Sequence, residues 1–287
     1  MNIKQFIVDK FVLPKSLKHC CIDEFLGTYL LIFITILLCW IFNVTRYAPA
    51  TNATLIQWVQ YSWVFGSAYI FLFVLILFFG HGGAFFNPAL VLVMWTTKRF
   101  HSKQVVCYLL TELVATLLAG LTIFLIAGSY DPSQWSNPTR LGITIINKHI
   151  WVDSINLNGI EQAGFLSMFL GFWCELLCFG LFTFAIFQLG KWKLNQKTKI
   201  QKLHRYALTS FLIGLFLTII VTFQIPLTGA SCNLFRSLAP LIFESWGVNG
   251  AVGWIQFPLY LLSTIIGSQL GVICSTHLFK GEVVALI

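Results

Sequence analysis

Two asparagines stand at matching places in this chain: Asn87 in "GHGGAFFNPAL" and Asn233 in "TGASCNLFRSLAP". Each follows a glycine-containing turn and opens an apolar stretch too short to cross a bilayer, which takes roughly 20 residues as a helix. Both are good helix N-caps, and after Asn87 the pair Pro88–Ala89 suits the first helical turn. In a soluble protein the ordinary reading is a capped surface helix. Here the pattern recurs between long apolar runs, which predicts a pair of re-entrant half-helices. Their N-termini, brought together, would place partial positive charge and two amide donors at one point. Asn87 and Asn233 would then donate hydrogen bonds to a passing water or hydroxyl oxygen, with preceding backbone carbonyls as acceptors. This is chemistry for selecting neutral molecules and excluding cations.

Arg236 follows Asn233 by three residues, in an otherwise uncharged segment. An arginine at membrane depth costs at least a few kcal/mol unless it pairs with carbonyls or faces water. Three acids, Glu24, Glu112 and Glu175, also lie inside apolar runs. No glycine-rich phosphate loop, Cys/His metal spacing or nucleophile–base order accompanies them. Neither an enzyme nor a bound metal or cofactor is expected.

The elements that must position these residues follow from composition. The 287 residues are 57% hydrophobic and 10% charged, against about a quarter charged in soluble domains. Six spans are expected, at about 22–42, 58–79, 104–128, 164–189, 205–226 and 252–278, with half-helices near 87–97 and 233–245. A basic, amphipathic segment 1–19 precedes them and lacks the form of a signal peptide. The charge of +8 is not a nucleic-acid signal, because 14 of the 18 Lys and Arg fall on one side of the spans. That side is expected to be cytoplasmic and to carry both termini. Two glycosylation sequons, at Asn43 and Asn52, fall in the first loop of the opposite side. The eight Cys read mostly as small buried hydrophobes, and Cys232 is expected close to the path of any solute.

The chain also repeats itself, with one half at about 20–128 and the other at about 164–279. Each half has three spans, an odd number, so the two must be inverted relative to one another, which places a substrate path at the midplane. The whole chain is read as a single transmembrane domain.

On these residues the chain resembles the aquaporin family. The resemblance runs from Glu24 to about Phe279 and rests on the acids opening spans one and four, on "FFNPA" and on "TGASCNLFRS". "VCYLLTELVATLLAG" is similar to the family's third span, with Glu112 where Gln is usual, and "WIQFPLYLLSTIIG" to its sixth. The resemblance implies an all-α membrane protein of six helices and two re-entrant half-helices, commonly assembled as a homotetramer in the lipid bilayer. It implies a passive path for water and small neutral solutes such as glycerol or hydrogen peroxide. Arg236 takes the position of the family's constriction arginine, with Val221, Ala230 and either Ser67 or Ala68 at the other constriction positions. None of those is aromatic or His, so a wider or differently shaped constriction is expected. Glu24 and Glu175 take the role of anchors for re-entrant backbone. Glu112 either pairs with a loop amide as the Gln does or is a functional acid. The second motif departs from the first, because Leu234 and Phe235 replace Pro and Ala. A phenyl ring at 235 must displace neighbours or enter the pore. The alternative reading is therefore a non-conducting protein that keeps the fold for a structural or organisational role.

Overall fold

The computed structural model describes residues 16–41, 85–130, 143–146, 153–157, 160–191, 199–244 and 248–278. The expected second span, Ser67, Ala68 and the sequons at Asn43 and Asn52 lie outside them. Five described helices are long and apolar enough to cross a membrane. They are α1 (Leu17–Ile41), α3 (Ser102–Tyr130), α4 (Phe165–Lys191), α5 (Lys199–Thr228) and α7 (Val248–Leu278). Two short helices complete the set, α2 (Pro88–Thr96) and α6 (Leu234–Glu244). Helices are forced on the long runs because hydrocarbon offers a backbone N–H or carbonyl no partner outside its own segment.

The surface is inverted relative to a soluble protein. Val106, Leu110, Val114 and Leu118 recur every fourth residue along α3 and are all exposed, while Glu112 and Thr116 between them are fully buried. An exposed apolar ridge backed by buried polar groups is what lipid outside and a polar interior require. The molecule is an all-α membrane protein.

The two halves pack by one rule. α1 packs along α3, and α4 packs along α7. The α4–α7 crossing is close because it is lined by glycine: a Cβ on Gly267 would overlap the Leu176 carbonyl, and one on Gly271 would overlap that of Gly180. Small residues that let backbones touch are the usual source of helix association in lipid. Both short helices contact α3 and α7.

The loop between α3 and α4 holds structure that the span pattern did not suggest. Strands β1 (Ser154–Leu157) and β2 (Ile160–Ala163) form an antiparallel hairpin, pairing Ser154 with Ala163 and Leu157 with Ile160. Asp153 then caps α4, accepting from the amides of Leu166 at 3.1 Å and Ser167 at 2.7 Å. Periodicity over 10-residue windows cannot register two four-residue strands.

Candidate functional site

Asn87 and Asn233 cap α2 and α6 in the same way. The Asn87 side-chain oxygen accepts from the Ala89 amide at 3.1 Å, and that of Asn233 from the Phe235 amide at 3.0 Å. The side-chain nitrogens then cross between the two halves. Asn87 Nδ2 donates to the Cys232 carbonyl at 2.7 Å, and Asn233 Nδ2 donates to the Phe86 carbonyl at 2.6 Å. The N-termini of the half-helices are therefore clasped together by two reciprocal hydrogen bonds, 146 residues apart in sequence.

The clasp sharpens the expected donor–acceptor geometry. The carbonyls preceding each Asn each accept from the opposite Asn, and each amide nitrogen spends one of its two hydrogens in the clasp. One hydrogen per Asn, and one lone pair per carbonyl, remain for a solute.

The carbonyls reach across because their residues are left-handed: Phe86 has φ +47° and Cys232 φ +44°. Non-glycine residues in that region cost on the order of 1–3 kcal/mol each and persist only where their surroundings hold them. Two buried acids do the holding. Glu24 accepts from the amides of Phe85, at 3.3 Å, and Phe86. Glu175 accepts from Ser231 at 3.0 Å and Cys232 at 3.4 Å, and also from the Thr228 hydroxyl. Each acid thus grips the two amides just before the Asn in its own half.

The second turn carries further ties. The Cys232 thiol donates to Gln224 Oε1 at 2.6 Å, Ser231 and Ser237 share a hydroxyl–hydroxyl bond of 2.7 Å, and Tyr260 donates to the Thr228 carbonyl at 2.6 Å. Residue-type arguments missed Gln224, Thr228 and Tyr260, because a lone Gln, Thr or Tyr in an apolar run carries no motif. The left-handed residues had one usable signal, their shared place immediately before the repeated Asn.

Glu112 is fully buried on α3. Its carboxyl faces the Glu24 carboxyl and the Asn87 backbone N–H, without reaching hydrogen-bond geometry to either among the described residues. Arg236, 3% exposed, follows Asn233 on the first turn of α6 and lies within electrostatic reach of Glu175. Val221 and Ala230 belong to one apolar cluster with Phe86, Ala89 and Cys232. Ala230 is left-handed (φ +50°) and follows Gly229, also left-handed (φ +74°), so the chain turns sharply there. Leu234 begins α6, as Pro88 begins α2. Phe235 is buried at 8% exposure in the position that Ala89 holds in the other half. Cys232 is 2% exposed, and its carbonyl is part of the clasp.

Two Asn-capped half-helices clasped N-terminus to N-terminus, inside a bundle with an apolar exterior, define a membrane channel of the re-entrant-helix class. The chain belongs to the Major intrinsic protein family, whose pattern matches residues 12–274. It is 25% identical over 277 residues to the glycerol uptake facilitator protein of Haemophilus influenzae, covering 93% of this chain and 95% of that one. The facilitator of Escherichia coli K12 is 24% identical, covering 92% and 88%. Aquaporin AqpM of Methanothermobacter thermautotrophicus is 23% identical over 277 residues, covering 92% and 98%. The fold matches the aquaglyceroporin of Plasmodium falciparum with a TM-score of 0.62 at 16% identity, over 92% of this chain and 98% of that one. The protein is a passive membrane channel for water or small solutes and not an enzyme.

Proposed function

We propose that the channel conducts water and small neutral solutes, with glycerol and hydrogen peroxide as the candidate solutes, down their gradients. The observation that carries this reading is the reciprocal clasp of Asn87 and Asn233, which leaves one amide hydrogen on each side-chain nitrogen at the point where two helix N-termini meet. A water or hydroxyl oxygen accepts from those hydrogens, while a cation meets the positive ends of both helix dipoles. Arg236, Val221, Ala230 and either Ser67 or Ala68 form the constriction, and the absence of an aromatic residue or His among them suits a polyol as well as water. Glu24 and Glu175 act as anchors and not as solute contacts. Homotetrameric assembly and cytoplasmic termini belong to the same reading, and so do glycans on Asn43 and Asn52.

Purified protein in lipid vesicles tests it by stopped-flow light scattering. Vesicles are expected to equilibrate faster than empty ones in both osmotic and glycerol gradients. Rates equal to empty vesicles would instead support the non-conducting alternative, for which the observation is Phe235 standing where the other half has Ala89.

A further inference from the structure

Between α3 and α4 a short irregular segment, residues 143–146, is buried in the protein. Ile143, Thr144 and Ile146 are each at most 8% exposed, although none lies in a helix or strand. The segment is fixed at three places. Ile146 donates its amide to Gln256 Oε1 on α7 at 2.8 Å. The Ile146 side chain fills the space above Gly171 on α4, and that of Ile143 the space above Gly253 on α7. Between these anchors, Thr144 rests on the second re-entrant turn. A Cβ built on Gly229 would stand 3.2 Å from Thr144 Cα and 3.2 Å from the Ile145 nitrogen. Gly229 is the residue before Ala230, and a side chain there would be crowded against this segment as well as strained by its left-handed backbone.

The Thr144 hydroxyl is buried with no hydrogen-bond partner among the described residues. Threonines in the helices have a ready solution, the carbonyl four residues earlier, which Thr35, Thr111, Thr122, Thr218 and Thr276 all use. Thr28, Thr116 and Thr183 are also unpartnered, but each has such a carbonyl within one rotamer change. Thr144, outside any helix, has no such carbonyl. Gln256, whose Oε1 holds the segment, keeps its own Nε2 buried and without a partner among the described residues. A buried hydroxyl on this segment and a buried amide donor on the helix that holds it must find their partners in water or in a solute.

We propose that Thr144 is a specificity-determining residue of the channel, its hydroxyl forming part of the permeation wall beside Ala230. It offers both a donor and an acceptor, supplied from a loop and not from a span. Thr144 packs on Gly229, the residue before Ala230, and the side chains of Val221 and Ala230 are themselves apolar. Such a group favours a polyol over water, because a polyol sheds more of its hydration at a constriction and the hydroxyl replaces one of the lost hydrogen bonds. The inference rests on the channel reading above.

The test uses Thr144→Val, which keeps the shape and removes the hydroxyl, with Thr144→Ser as the rescue. In vesicles the ratio of glycerol to water permeability is expected to fall about fivefold in Thr144→Val, the worth of one neutral hydrogen bond. It is expected to return towards the wild-type ratio in Thr144→Ser. An unchanged ratio in Thr144→Val overturns the proposal. A flux-independent reading separates this failure from failure of the channel reading. A hydrophilic thiol reagent is expected to label residue 144 in Thr144→Cys, detected by peptide mass spectrometry, and more slowly when glycerol is present. No labelling at that residue overturns the placement, whatever the vesicles conduct.

Discussion

Glu175 accepts three hydrogen bonds, from the Ser231 and Cys232 amides and from the Thr228 hydroxyl, which also reaches the Gln224 carbonyl at 3.3 Å. Replacing it with Ala leaves the two buried amides unmet and releases the strained Cys232. Glu175→Ala is expected to destabilise the protein by about 3 kcal/mol or more, read as a lower thermal midpoint in detergent. An unchanged midpoint would mean that the turn is held by its other ties. Glu112 has the opposite problem, since its two carboxyl oxygens lie buried beside a second carboxyl and without hydrogen bonds among the described residues. Gln at this position keeps the volume and adds an amide donor towards Glu24. Glu112→Gln is expected to raise the midpoint, by a stability gain of about 1–2 kcal/mol. A lower midpoint would show that the acid is needed as an acid. The acids, the asparagines and Arg236 could all be picked out from the sequence by type and spacing. The partners that hold them could not, because hydrogen bonds between residues 145 and 147 apart have no local signature.

At the scale of elements, α2 and α6 differ where their first turns differ. Both are capped by Asn, and α6 forms without the proline that begins α2, since the cap alone meets the first free amide. What remains unlike is Phe235 against Ala89. If the ring narrows the path, Phe235→Ala should raise water permeability several-fold above wild type at equal protein density in the stopped-flow assay. An equal rate would place the ring outside the path. Helix α4 depends on its cap too. The Ser167 hydroxyl, and after it the Ser167 and Leu166 amides, hold the Asp153 carboxyl below its ordinary value. The sign of the pH effect follows from that direction. A depressed carboxylate contributes its stability fully above the unfolded value of about 3.9 and loses it as pH falls through the lower folded value. The thermal midpoint of the wild type is expected to fall through that acid range, and that of Asp153→Asn to change less. Parallel curves would remove Asp153 from the stability of α4.

For the whole molecule, two helix N-termini meet at one point, so neutral solutes and ions face different barriers. The vesicles that swell quickly are expected to carry no ionic current above background, and a current would contradict the opposed-dipole account. Five of the six expected long spans and the membrane environment were legible in the sequence, the sixth lying outside the described residues. Hydrocarbon demands long apolar helices, and any failure to supply one shows in composition alone. The half-helices were legible for the same reason, as apolar stretches too short to cross and opened by Asn. What only the tertiary structure decided is how the two halves meet. The clasp, the left-handed Phe86 and Cys232 and the grip of Glu24 and Glu175 arise when two distant segments satisfy each other's buried backbone groups. The same holds for Thr144 against Gly229, a contact between a loop and a turn about 85 residues further along the chain. Local sequence dictates which backbone groups need partners, while the packing of the whole chain dictates which partners they find.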